Sequence, residues 1–360
     1  MQSEKGIFDR QASLALKGIA ILMMMLHHNF RKPSIYSSYA ISFSPFLESQ
    51  IVTVASACKI CVSIFAFITG YGLYVSYRHN KVSSTKWVLQ RYLKTFSGYW
   101  FVWVLSAIIC QFIDRRTATI LFKDGIAQGF FHTLINFLGL HNLFHTPSIN
   151  ATWWYMSAAA VFILLIPLLY HYRDNIILIM IGTIFLIRIV HNGDAFTGAN
   201  SVYAFLTPFI MGFTFSHYSM FEKLAQILSQ NHLTRLCKAM VELCIIIAMF
   251  MIYGQVPIAL YWEFHYCLFP TLFICFCVEF IVGARFLGSM LQFCGKHSMN
   301  VFLVHTFIRG YYLVDFTYSW KHFLLVNLVL LCLSIAISIV IECLKKLLRY
   351  DFLINSLIEQ

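Results

Sequence analysis

The chain has 360 residues, of which 59% are hydrophobic and only 11% charged. One water-soluble core could not hide that much apolar surface, so the excess must face lipid. The formal net charge of +11 sits between apolar runs rather than along a continuous stripe, which excludes a nucleic-acid partner and fits juxtamembrane placement.

In chain order, apolar runs of membrane length are expected at about 14–30, 51–76, 96–113, 153–170, 175–191, 201–217, 238–256, 259–280, 298–315 and 322–344. The first has no small-residue cleavage site and more runs follow it, so it reads as a span rather than a leader. A weaker segment, about 124–140, holds His132, Asn136 and two glycines. The densest basic connection is YRHNKVSSTKWVLQRYLK, residues 77–94, which belongs on the cytoplasmic side. With HYRDN, Lys223 to Lys238, Arg285 with Lys296, and the terminal KKLLRY also inside, residues 114–152 must begin and end outside. The 124–140 segment is then re-entrant or interfacial. Arg115 and Arg116 are the misfits, cations on the outer side. The fold class that results is all-α: a polytopic transmembrane helix bundle of about ten spans plus one re-entrant or interfacial helix, both termini in the cytoplasm. Residues 1–350 read as a single integral membrane domain and 351–360 as a cytoplasmic tail. The eleven cysteines are scattered, and Cys58 and Cys61 form a lone CxxC. Without a second pair this reads as buried apolar thiols; no metal and no disulfide framework are predicted.

The first run, LALKGIAILMMMLHHNF, carries titratable groups at both tips. Lys17 falls near the cytoplasmic face, and His27, His28 and Asn29 near the outer one. Eleven residues of helix span about 16 Å. Lys17 can snorkel as an interface anchor, or hold phosphate as a point charge. Adjacent histidines point about 100° apart, so one can line a cavity while the other meets the interface. A neutral histidine in a cavity can take a proton from a hydroxyl.

This opening resembles that of the membrane acyltransferase-3 family of O-acyltransferases. There an arginine precedes Gly-Ile-Ala, and a histidine follows eleven positions on. Lys17, Gly18, Ile19, Ala20 and His28 match, with lysine replacing the arginine and losing its bidentate fork. SIFAFITGYGLYVSY, residues 63–77, resembles the family's aromatic-rich helix, with Thr69 and Gly70 at its small-residue positions. Arg91 and Lys94 in QRYLKTF match its Arg-x-x-Arg pair. WWYMSAAA, residues 153–160, resembles its Trp-aromatic-Leu-Ser stretch, but alanine replaces the glutamate that usually follows. GKHSMNVFLVHTFI, residues 295–308, matches the closing helix at Gly295, Ser298 and His305.

The resemblance implies acyl transfer, commonly of acetyl from acetyl-CoA, to a hydroxyl of a surface or exported polysaccharide or a lipid-linked glycan in the inner (cytoplasmic) membrane. Acetyl-CoA or another acyl-CoA is then the co-substrate. Such a reaction needs a base for the hydroxyl, a holder for the tetrahedral oxyanion and a site for the anionic CoA. His28 is the candidate base. Lys17, Arg91 and Lys94 are candidates for the CoA phosphates. With the family's glutamate missing, Glu263 in YWEFHY is the substitute expected to orient His28; it also reads as an interface carboxylate. His305, deep in its helix, is a further catalytic candidate or a helix–helix hydrogen bond. Trp153, Trp154 and Tyr155 read as an aromatic belt or as a stacking surface for a sugar. His141 and His145 read as lining the acceptor entrance. Two other functions use the same residue types: a transporter or flippase for envelope glycans, and acylation of an exported small molecule.

Overall fold

The computed structural model describes residues 7–191, 202–227, 231–253 and 263–359. Helix α1 runs Arg10–Phe30. Asp9 caps its N-terminus, the side chain accepting from the Ala12 amide. Pro33 ends it by forcing Lys32 into an extended backbone. Helices α2 (Glu48–Ala57) and α3 (Cys61–Arg78) are joined by a 3₁₀ turn at Cys58–Ile60. Helix α4 spans Ser84–Asp114, 31 residues, and is followed by the short α5 (Arg116–Leu121) and by α6 (Ile126–Phe137). After a 3₁₀ turn at Ala151–Trp153 come α7 (Trp154–His171), α8 (Ile176–His191), α9 (Leu206–His217), α10 (Met220–Gln226) and α11 (His232–Ile252). Two π-helical turns, Phe264–Leu268 and Cys277–Ile281, flank α12 (Phe269–Phe276). Helices α13 (Arg285–Lys296) and α14 (Ser298–Phe307) follow, then a π turn at Ile308–Tyr312, α15 (Val314–Tyr318), α16 (Phe323–Leu347) and α17 (Tyr350–Glu359).

Among the described residues there is no strand; a single bridge joins Ser42 to His322. Five of the described segments are long and apolar enough to cross a bilayer by themselves: Glu48–Arg78, Ser84–Asp114, Ala151–His171, Phe264–Ile281 and Phe323–Leu347. Large apolar side chains such as Phe112, Leu178, Phe185 and Leu328 turn outward. The protein is an all-helical, multi-pass membrane bundle. The expected span ends at 201, 256 and 259 lie outside the described residues. Helix α6 has 12 residues and is too short to cross. Residues 351–359, expected as a tail, are helical and dock on α4: Gln90 donates to the Ile358 carbonyl at 2.8 Å. At the start of α17, Tyr350 donates to the Ser97 carbonyl at 2.9 Å.

Two helix crossings set the frame, and both use paired glycines. A methyl on Gly18 of α1 would overlap the Leu291 carbonyl of α13, and one on Gly295 of α13 would overlap the Leu14 carbonyl of α1. Helices α3 and α9 interlock the same way, Gly70 against the Phe209 carbonyl and Gly212 against the Phe67 carbonyl. In lipid, where apolar surfaces gain nothing from leaving water, such close backbone approach supplies the dispersion contact that holds helices together. It also explains why glycine is tolerated inside these helices at a cost of roughly 1 kcal/mol relative to alanine. With α13 on one side of α1, another side is left facing α3, α4, α7 and α14. At the C-terminal end of α1 a small second core, including Phe30, Tyr36, Phe43, Tyr318 and Phe323, fixes the loop after it. The Ser42 amide donates to the Lys321 carbonyl at 2.8 Å, and the Phe323 amide to the Ser42 carbonyl at 3.1 Å.

Candidate active site

A cavity of about 710 Å³ runs between α1, α3, α4, α7 and α14. Along α1 and at its C-cap it is lined by Ser13, Lys17, Met24, His27, His28 and Arg31. All but His27 recur at intervals of four, seven, four and three, a single stripe of a helix, and His27 borders that stripe. Eleven residues are close to three whole turns, so Lys17 and His28 share that stripe about 16 Å apart. From α14, Met299, Phe302 and Thr306 line it on a second such stripe. The middle is apolar, with Phe65, Ile68, Tyr155 and Ile163.

At one end Lys17 meets Arg91, with Ser13 and Thr95 beside them. The connection read as residues 77–94 is helical from Ser84 onward, and this carries Arg91 into the wall. Its partner in the sequence motif, Lys94, is exposed and does not line the cavity. Neither Lys17 nor Arg91 has an ion-pair partner among the described residues, and Arg91 Nε is buried without a hydrogen bond.

The other end holds His28. The two adjacent histidines divide as their 100° separation demands. His27 is 5% exposed and its Nδ1 lies 2.8 Å from the Ala55 carbonyl; a carbonyl only accepts, so that nitrogen carries the proton. Its Nε2 faces Arg31 at 3.4 Å. The imidazole of His27 thus ties α1 to α2. His28 keeps accessible surface in the cavity. Arg309 donates to the His28 carbonyl at 3.1 Å and its second terminal nitrogen faces His28 Nδ1 at 3.4 Å. A guanidinium only donates, so Nδ1 presents its lone pair there. His305 is fully buried behind His28, with ring centroids 5.1 Å apart. Its Nδ1 donates to the Phe302 carbonyl at 2.9 Å, leaving Nε2 beside the Thr306 hydroxyl at 3.3 Å. The Thr306 hydroxyl continues to Thr152 at 3.1 Å, and Thr152 donates to Asn150 Oδ1 at 2.7 Å.

His28 and His305 are therefore brought together, as are Lys17 and Arg91. Glu263 is not part of this grouping. It stands at the start of the Phe264–Leu268 turn, outside the lining, and makes no hydrogen bond to either histidine. The group beside His28 is the arginine at 309. Trp153 and Trp154 do not form a belt at the lipid boundary, because both are buried: Trp153 donates its indole N–H to the Leu303 carbonyl at 3.0 Å, and Trp154 lines the cavity. His141 and His145 lie outside the lining. Arg116, a misfit in the expected orientation, is accounted for by local contacts. It donates to the Ile149 carbonyl at 3.1 Å, and its guanidinium lies 3.7 Å from the centroid of the Tyr311 ring.

Sequence reasoning missed Arg31, Lys59, Thr306 and Arg309. One signal was available: arginine follows histidine by four positions twice, at His27–Arg31 and at His305–Arg309, a helix-face spacing.

Among families of known proteins, the acyltransferase-3 model, described as an acyltransferase domain, matches residues 13–343. The chain belongs to the acyltransferase-3 family. No curated protein and no solved structure matches it. This acyltransferase is an enzyme of the membrane, and its family transfers acyl groups to hydroxyls. The glycines its motifs carry at positions 18 and 295, far apart in sequence, meet in the α1–α13 crossing, and Gly70 lies in the α3–α9 crossing. The lysine and histidine of the first motif both open into the one cavity.

Proposed function

We propose that this enzyme transfers an acetyl group, or another acyl group, from acyl-CoA to a hydroxyl of a surface or exported polysaccharide or of a lipid-linked glycan. It does so in the inner membrane, with both termini in the cytoplasm. One observation carries the reading: Lys17 with Arg91 and His28 with Arg309 open into the same cavity, about 16 Å apart along one helix. The phosphates of CoA seat on Lys17 and Arg91, where unpaired cations await an anion. The uncharged pantetheine arm lies along the apolar middle and carries the thioester to His28.

There the acceptor hydroxyl replaces the Arg309 N–H at the His28 Nδ1 lone pair. Its oxygen attacks the thioester carbonyl as His28 takes the proton. The tetrahedral oxyanion that forms is held by Arg309, which stays close by because it is bound to the His28 carbonyl. Collapse breaks the C–S bond, and the proton from His28 goes to the departing CoA sulfur. His305, held through its Nδ1 and packed on His28, keeps that ring from turning away. Glu263 lies apart from these groups and has no step here.

The experiment is mass spectrometry of envelope glycans from cells with and without the gene. An acetyl or longer acyl mass that disappears with the gene is the expected result; identical glycans would remove the acceptor class.

A further inference from the structure

We infer that the acceptor is recognised through an anionic group, a carboxylate or a phosphate, lying within one sugar residue of the hydroxyl that is acylated. This rests on the reading above in placing the reaction at His28. Around His28 the cavity is lined by Arg31 at the end of α1, Lys59 in the turn between α2 and α3, and Arg309 in the π turn after α14. Three separate segments converge with one sign of charge. Among the described lining residues there is no aspartate or glutamate. Arg31 and Arg309 make no ion pair among the described residues, and the Nε of each is buried without a hydrogen bond. The Lys59 ammonium lies 5.5 Å from the centroid of the Trp154 ring. Cations gathered in a cavity within lipid repel one another and are costly to desolvate unless an anion completes the site.

Acyl-CoA does not supply that anion. Its phosphates belong to the Lys17 end, and the arm and acyl group that reach His28 are uncharged. The tetrahedral oxyanion is a single transient charge beside Arg309, which leaves Arg31 without an anion. A guanidinium fork matches the two oxygens of a carboxylate or phosphate. An acceptor carrying one is drawn to this end, and by attracting Arg309 it also uncovers the His28 lone pair. Two sources present that chemistry: an acidic sugar of the glycan itself, or the phosphate of a lipid carrier close to its first sugar.

The test locates the ester. Glycans and lipid-linked precursors are taken from cells with and without the gene, and the gene-dependent acyl group is mapped by tandem mass spectrometry. An ester on, or next to, a residue bearing a carboxylate or phosphate supports the proposal and names the acidic glycan as source. An ester confined to the first sugars of carrier-linked precursors names the carrier phosphate. An ester on a neutral stretch, remote from either, overturns the proposal while leaving acyl transfer intact. Absence of any gene-dependent ester sinks the functional reading instead. In parallel, Arg31→Gln is introduced, because the Arg31 side chain hydrogen-bonds His27 and not His28 among the described residues. Acylation in cells is expected to fall at least tenfold while purified protein binds acetyl-CoA with unchanged Kd, which also reports intact folding. Arg31→Lys is expected to recover part of the loss. Full acylation in Arg31→Gln overturns the proposal.

Discussion

The two ends of the cavity are both cationic, yet they are built differently. At the Lys17 end the charges sit on regular helix, Lys17 in the first half of α1 and Arg91 in the first third of α4. At the His28 end they sit where regularity stops: Arg31 just past the end of α1, Lys59 in a 3₁₀ turn, Arg309 in a π turn. Regular helix fixes a charge on a stripe and suits a ligand whose phosphates need only a positive wall. Turns free backbone geometry to aim several side chains at one point, and such irregular turns are common where chemistry is done. The difference fits the proposed division, with binding at the first end and reaction at the second.

The sharpest way to break that division is His28→Ala. Turnover is expected to fall by about 10²–10⁴, the usual worth of a positioned base, while acyl-CoA affinity stays within about twofold. Measured turnover near the parent value would end the assignment of the His28 end to chemistry. Next in size is Arg91→Ala, which removes a charge-assisted contact worth about 1.5–3 kcal/mol and so weakens acyl-CoA binding roughly 10–100-fold. Lys94→Ala is the matched control three residues away: exposed and outside the cavity, it is expected to change Kd less than about twofold. Equal losses in calorimetry of the two variants would mean that the motif, not the cavity wall, defines the site.

A smaller effect is expected where the frame meets the site. Gly295→Ala places a methyl against the Leu14 carbonyl and pushes α1 from α13, at a cost of about 1–3 kcal/mol. Gly182→Ala, with open space around it, is expected to be neutral or slightly stabilising. Thermal unfolding in detergent separates them, and an equal Tm for both would show that the crossing is not close-packed. Smallest is His27→Ala, which loses the bond to the Ala55 carbonyl and about 0.5–1.5 kcal/mol of stability. Its turnover, assayed beside His28→Ala, should stay within about tenfold of the parent; a loss as deep as that of His28→Ala would show that the two imidazoles do not divide the work.

Lys17 and His28 were legible in the sequence because both lie on one helix, where an eleven-residue interval fixes face and distance without knowledge of any neighbour. The glycines were legible as motif positions but not as a crossing, since Gly18 and Gly295 are separated by nearly the whole chain. Arg91 and Lys94 look equivalent in sequence; only the rotation of α4 against α1 decides that one enters the cavity and the other stays exposed. Glu263 was sought because a histidine base is commonly oriented by an acid, and that expectation led away from the cation that stands there. Arg309 reaches His28 across 281 positions of chain, a pairing no local pattern encodes.

By itself the sequence determined that this protein lies in lipid, that it is helical, and that its first helix is charged at one end and titratable at the other. These follow from composition and helical period, which act within single segments. The tertiary structure decided which histidine ring is tied to the α2 carbonyl, which basic residue shares the cavity with Lys17, and that three further cations line it near His28. Those facts depend on how helices rotate and cross, and glycine contacts between distant segments set that geometry.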